Sequence, residues 1–124
     1  MIDFKNSSYM KLRQVKVQDG EKLAAPLLID GETVISAFKS VRDCVLFTNK
    51  RVISVNVQGV TGKKRDYTSL PYSKVTAFSV ETSGVMDIDS ELELWFSGLG
   101  KVAFEFTGGS NITEIGKTIA EFVL

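Results

Sequence analysis

Residues 46–72 read LFTNKRVISVNVQGVTGKKRDYTSLPY. An apolar β-like run ends at Thr48, resumes at Arg51 and continues to Val57, and Thr48-Asn49-Lys50-Arg51 between the two halves has the composition of a tight turn. A glycine turn, Gly59-Val60-Thr61-Gly62, reverses the chain again, and Pro71 ends the next run. Two reversals with almost no helical periodicity mark an antiparallel β domain.

The same rhythm extends outward. After the turn dipeptide Asp30-Gly31, β-like runs occupy Thr33–Val41, Asp43–Thr48, Arg51–Val57, Gly62–Ser69, Lys74–Thr82, Glu91–Ser97 and Lys101–Phe106. Ile53, Val55 and Val57 alternate with Ser54 and Asn56, and Leu92, Leu94 and Phe96 alternate with Glu91, Glu93 and Trp95. Val102, Phe104 and Phe106 alternate with Lys101, Ala103 and Glu105. Each of these predicts a half-buried strand with a wet outer face. Parity constrains the last hairpin to a loop of three or five residues, because opposed residues point to the same side. Leu94 must then face Val102 or Phe104, and the preferred three-residue loop sets Trp95 opposite Lys101 as a cation–π pair.

The two ends differ. At the C-terminus Asn111 and Glu114 form a capping-box pattern, and Ile112, Ile115, Ile119, Phe122 and Val123 make one apolar stripe, so a helix is predicted there. In the first thirty residues Tyr9, Leu12, Val15 and Lys16 have loose helical spacing, Gly20 interrupts and Pro26 stops. Residues 1–29 are expected to be an extension, a short helix or an arm, ahead of a domain spanning 30–124.

Composition excludes more than it assigns. The chain has 124 residues, enough for one domain, and its 15 basic and 15 acidic residues cancel. That balance gives no general pull toward nucleic acid or anionic lipid. There is no histidine, which removes the usual general base, the Ser-His-Asp and Cys-His systems and the commonest metal ligand. One cysteine, Cys44, makes neither an internal disulfide nor a zinc site, and reads as a small core residue. The charged N-terminal residues lack the apolar core of a secretory signal, and no run is long enough to span a membrane, so cytoplasmic residence is the expectation.

Seven antiparallel strands and a C-terminal helix resemble a pleckstrin homology (PH) domain, and bacterial PH-like proteins in particular. The segments that carry the resemblance are Asp30-Gly31-Glu32, Val41-Arg42-Asp43, Phe47-Thr48-Asn49-Lys50-Arg51, Gly59-Val60-Thr61-Gly62-Lys63-Lys64 and Pro71-Tyr72. Glu81-Thr82-Ser83-Gly84 and Asp87-Ile88-Asp89-Ser90-Glu91-Leu92 complete the set, over roughly residues 28–124. The resemblance implies a partly open barrel of two near-orthogonal sheets plugged by the helix, and a binding or assembly module that self-associates. Eukaryotic PH domains usually bind inositol phosphates through a basic loop between the first two strands. Here that link is about Arg42-Asp43, with Lys39 and Arg42 as its only remnants.

Candidate sites are few. Trp95 should point outward beside Glu91 and Glu93, and a large aromatic on a wet face marks a protein interface or packs under the N-terminal arm. Lys50, Arg51, Lys63, Lys64 and Arg65 are anion-binding candidates, against solvated strand ends that discourage edge pairing. Gly59-x-x-Gly62-Lys63 has too few residues between its glycines for a phosphate loop, and the glycines instead suit positive φ in a hairpin. Asp87, Asp89, Glu91 and Glu93 lack the glycine and the final glutamate of a calcium loop, so a solvated acidic edge is preferred and no metal is expected.

The expectation is a non-catalytic PH-like module acting through protein association, chiefly as a homo-oligomer. The alternative is an anion or anionic-lipid headgroup binder with weak membrane-surface contact. No cofactor and no nucleic-acid partner are expected.

Overall fold

The computed structural model describes residues 9–82, 89–107 and 110–124, with side chains described from Lys11 onward. Its elements are β1 (Tyr9–Val15), α1 (Val17–Ala24), β2 (Val34–Lys39), β3 (Asp43–Thr48), β4 (Arg51–Gln58) and β5 (Lys64–Pro71), followed by a 3-10 turn at Tyr72–Lys74. Then come β6 (Val75–Glu81), β7 (Ser90–Phe96), β8 (Gly100–Phe106) and the C-terminal helix α2 (Ile112–Val123). The strands form one open sheet in the order β5-β4-β3-β2-β1-β8-β7-β6.

All seven expected strands are present, and β1 is an eighth. The segment whose spacing suggested a helix at Tyr9, Leu12 and Val15 is this strand; among the described residues ahead of β2, the α-helix is Val17–Ala24. β1 pairs antiparallel with β2 and parallel with β8, so it joins two expected sheets into one. Within residues 1–29, read above as an extension, Tyr9–Val15 and Val17–Ala24 thus supply a strand and a helix to the same fold. Lys11, at φ 55, lies in the register shift between the Tyr9↔Phe104 and Leu12↔Phe106 pairs, a bulge at the centre of the sheet.

Apolar residues on one side of the sheet build the main core. Phe38 meets Phe47 edge-on at 5.7 Å and Phe106 at 4.9 Å between ring centroids, and Phe47 meets Phe104 at 6.2 Å. Helix α2 lays Ile112, Ile115 and Ile119 into this core. Asn111 caps it by accepting a hydrogen bond from the Glu114 backbone N–H at 3.3 Å. Gly116 permits the close packing: a Cβ there would lie 2.9 Å from Val80 Cγ2. The aromatic ring of Tyr72 stacks on Phe122 at 5.6 Å, and its hydroxyl donates to the Thr48 carbonyl at 2.7 Å.

A second, smaller core lies on the opposite side of β2–β5, under α1. It contains Ala24, Ala37, Cys44, Leu46, Ile53 and Val55. This corrects the reading of β4. Ile53 and Val55 face α1 and not the main core, while Val52 and Ser54 on the other face are also buried. A strand covered on both sides has no wet face. Gly20 sets the depth of α1, since a Cβ there would lie 2.6 Å from Leu46 Cδ2 and 2.8 Å from Ala37 Cβ.

The turn at Thr48–Arg51 is held by a dense set of hydrogen bonds. Thr48 Oγ1 accepts from the backbone N–H groups of Lys50 and Arg51, each at 3.0 Å, and donates to Glu32 Oε2 at 2.7 Å. Asn49 donates to the Gly31 carbonyl and accepts from the Thr33 N–H, both at 2.9 Å. Asp30-Gly31-Glu32 and Thr48–Arg51, two separate segments of the sequence, are therefore one structural unit. The second reversal has Gly59 and Gly62 at φ 80 and 69, the positive values expected of that hairpin.

Candidate functional site

Two surfaces gather the residues singled out in the sequence. The first is the outer face of β6–β7–β8. The β7–β8 hairpin has the three-residue loop, with Phe96 opposite Gly100, Leu94 opposite Val102 and Trp95 opposite Lys101. Trp95 is half-buried, with Ala77 across the other ladder from it. The expected cation–π pairing gives way to an ion pair, for Lys101 Nζ lies 2.8 Å from Glu93 Oε2. That carboxylate raises the Lys101 pKa by hydrogen bond and by charge.

Next to this pair stands a row of like charges. Glu81, Glu91 and Glu105 are directly opposed across β6, β7 and β8. Partial burial raises the Glu91 pKa, and the charge of Glu93, a hydrogen bond shared with it, and the charge of Glu81 add to the rise. Opposed carboxylates oppose sheet formation, so this face is acidic at some cost in stability. Of the four alternating carboxylates read as a solvated acidic edge, Glu91 and Glu93 lie on this face and Asp89 precedes β7, while Asp87 is outside the described residues, as are Ser83, Gly84 and Ile88.

The basic candidates do not form one patch. Lys50 and Arg51 sit at one end of β4 and the Gly59–Lys63 hairpin at the other, roughly 20 Å away at about 3.3 Å per residue. Arg51 is also committed. Its Nη2 and Nε reach Glu32 Oε1 and Oε2 at 2.8 and 2.9 Å, and it donates further to Ser69 Oγ and the Leu27 carbonyl at 2.8 and 2.7 Å. A guanidinium with that many partners is a structural group.

Lys63, Lys64 and Arg65 instead join Lys39 and Arg42, because the β2–β3 turn and the β4–β5 hairpin lie at the same end of the sheet. The two loops are tied by Arg42 Nη2 donating to the Gly59 carbonyl at 2.7 Å and by the Val57 N–H donating to the Arg42 carbonyl at 3.2 Å. Each loop also presents a fully exposed valine, Val41 at 95% and Val60 at 105%. Neither valine was singled out in the sequence, where an isolated loop valine carries no signal; only the pairing of the two loops brings them to one end. Cys44 is buried, and that burial pushes its thiol pKa up to about 11, as a core role requires.

The model of the bacterial PH domain family matches residues 3–123. The chain is 48% identical over 98 residues to the uncharacterized protein YjqA of Bacillus subtilis (strain 168), covering 77% of this chain and 78% of that one. It is 32% identical over 97 residues to the uncharacterized protein YozO of the same organism, covering 78% and 82%. Among solved structures, a DUF1696-family protein with a pleckstrin-homology domain from Shewanella loihica PV-4 superposes with a TM-score of 0.79 at 40% identity, covering 93% of this chain and 99% of that one. A pleckstrin homology domain from Shewanella amazonensis SB2B gives 0.67 at 41% identity, covering 96% and 93%. No enzymatic activity is named for any of these relatives. The chain belongs to the bacterial PH domain family.

Proposed function

We propose that this chain is a non-catalytic binding and assembly module that associates with copies of itself. The observation that carries the reading is Trp95, a large aromatic on the outer face of β7 with the small Ala77 and Ala103 around it. Aromatic residues on such faces are enriched at protein interfaces, where they bury much area at little entropic cost.

Charge supports the choice of a second copy as partner. The chain is neutral overall, but Glu81, Glu91, Glu93 and Glu105 collect on one face while Lys39, Arg42, Lys63, Lys64 and Arg65 collect at the end of β2–β5. Two such surfaces on one molecule are complementary between copies. Sedimentation at tens of micromolar tests the reading. An assembly larger than the monomer is expected, and Trp95→Ala should shift it toward monomer. A strict monomer sinks the idea, and an assembly unmoved by Trp95→Ala moves the contact elsewhere.

A second reading is favoured by one separate observation. Exposed Val41 and Val60 stand on neighbouring loop tips among the five cations, a pattern suited to an anionic lipid surface. It differs from the expectation drawn from sequence in using Lys39 and Arg42 in place of Lys50 and Arg51. Co-sedimentation with vesicles containing phosphatidylserine at low salt would support it. Failure to bind under those conditions removes it.

A further inference from the structure

The open sheet has two edge strands, and they are built differently. β5 carries Lys64, Arg65 and Asp66 at one end and Pro71 at the other, and such charges and prolines discourage an edge from pairing. β6 reads VTAFSVE, with its single charge at Glu81 and no proline. Among the described residues its backbone is paired with β7 on one side and with no strand on the other. An unguarded edge of this length is a template for an added strand.

The two faces of β6 define what that strand must carry. On the core side Phe78 and Val80 are half-buried, and between them and α2 runs an apolar groove of about 330 Å³, floored by Gly116 and Ala120. Lys117 stands on its rim, where Glu114 Oε1 lies 3.8 Å from Nζ and offsets the charge. On the outer side Ala77, Ser79 and Glu81 are exposed, opposite Trp95, Glu93 and Glu91 of β7. Glu81 and Glu91 have no ion-pair partner among the described residues. An incoming strand therefore meets an apolar slot on one face and uncompensated carboxylates on the other. Side chains alternate across a strand, so apolar residues at every second position and a cation opposite Glu81 satisfy both faces.

A second copy of the chain offers no such strand at its edges. Antiparallel addition of its β5 with Arg65 opposite Glu81 sets Asp66 against Val80 and Thr68 against Phe78, a carboxylate and a hydroxyl over the apolar groove. β6 paired with itself brings no cation, since it contains none.

We propose that the β6 edge, with the groove beside α2, takes up an extended segment of another protein in which apolar residues alternate with Lys or Arg. The segment lies antiparallel to β6, its apolar side chains in the groove over Phe78 and Val80 and a cation on Glu81. The contact is with the edge of β6 and not with Trp95, so it goes beyond the association reading and stands or falls separately.

The test is an NMR titration of the ¹⁵N-labelled full chain with the peptide acetyl-Lys-Val-Thr-Val-Lys-Val-Thr amide. Saturable shifts are expected at the amides of residues 75–81 and of residues 113, 116, 117 and 120, together with slowed hydrogen exchange at the edge-facing amides of β6. A dissociation constant on the order of a few hundred micromolar is expected for so short a peptide. The same residues reordered as acetyl-Lys-Lys-Val-Val-Val-Thr-Thr amide keep the charge and lose the alternation, and should bind at least about tenfold more weakly. Glu81→Lys, at an exposed position and readable as folded from its own spectrum, should weaken the first peptide about fivefold and strengthen its counterpart with both Lys replaced by Glu. No saturable shift up to about 2 mM, or equal binding by the reordered peptide, overturns the proposal. Protection of the edge-facing β6 amides that is already present without peptide and lost on dilution also overturns it, since the edge then belongs to a second copy.

Discussion

Four hydrogen-bond donors converge on the buried carboxylate of Glu32: Arg51 Nη2, Arg51 Nε, Thr48 Oγ1 and the Ile29 N–H. Burial by itself raises the Glu32 pKa, but the bonds from Arg51, Thr48 and Ile29 outweigh it and leave the pKa lowered. The unfolded chain therefore binds the proton first as the solution is acidified. The contribution of Glu32 to stability is complete above the ordinary glutamate range, about pH 4–5, and is lost as pH falls through its folded value. Arg51→Ala should cost about 3 kcal/mol, because it leaves that carboxylate buried and unpaired. Chemical denaturation at pH 7 measures the loss, and a change below about 1 kcal/mol would contradict the structural role of Arg51. Glu91 has the opposite sign. Its raised pKa means the folded chain takes up the proton first, so its cost is present at neutral pH and fades as pH falls toward the ordinary range. Glu91→Gln should raise the melting temperature at pH 7 by an amount that shrinks by about pH 4. The gain is on the order of 0.5 kcal/mol, discounted because the group is partly exposed.

Helix α1 shows how a short element can decide the interior. It converts the outer face of β2–β5 into a second core, and Gly20 lets it approach to contact distance. Gly20→Ala should lose about 1–3 kcal/mol by overpacking against Leu46 and Ala37, even though alanine is the better helix former. Urea denaturation would show a lowered midpoint, and an unchanged or raised one would contradict the packing described. The strands and α2 were legible because their periods are clean: Leu92–Leu94–Phe96 and Ile112–Ile115–Ile119 repeat as strand and helix should. β1 was not, because the bulge at Lys11 inserts a residue between its registered positions. Tyr9 and Leu12 pair across β8 with Phe104 and Phe106, so a spacing of three on one strand matches two on the next, and three is also a helical spacing. The candidate site divided in the same way. Parity narrowed the hairpin to two registers, of which the preferred one set Trp95 opposite Lys101, whereas the ion pair of Lys101 with Glu93 and the retirement of Arg51 depend on rotamers and on Glu32, nineteen residues away. Of a cavity beside α1, only Lys39, Arg42 and Arg65 carried a signal in the sequence, since the lining comes from β1, α1, β2, β3, β4 and β5 and meets only in the fold.

For the whole molecule, neutrality conceals separation of charge. If copies join acidic face to basic end, their association should weaken as salt screens it, by about tenfold between 50 and 500 mM sodium chloride. Sedimentation across that range checks it, and an assembly indifferent to salt would point to an apolar contact at Trp95 with no electrostatic share. The two edge strands, β5 and β6, are the other surfaces open to pairing. They are consecutive in the chain, separated only by Tyr72–Lys74.

The position of β1 has a bearing on how the chain reaches this state. β1 is made early, yet one of its two neighbours is β8, which ends at Phe106. During synthesis the ribosome must add about ninety residues after β1 before that pairing is available, about 5–20 s at ordinary elongation rates. Through that interval the β2–β5 meander, whose internal strand pairings are all between sequence neighbours, can assemble under α1, while one side of β1 stays without its partner. A nascent chain halted before residue 100 should therefore hold the β2–β5 meander folded under α1 and an open central strand, and the synthesis of β8, not of β1, completes the sheet.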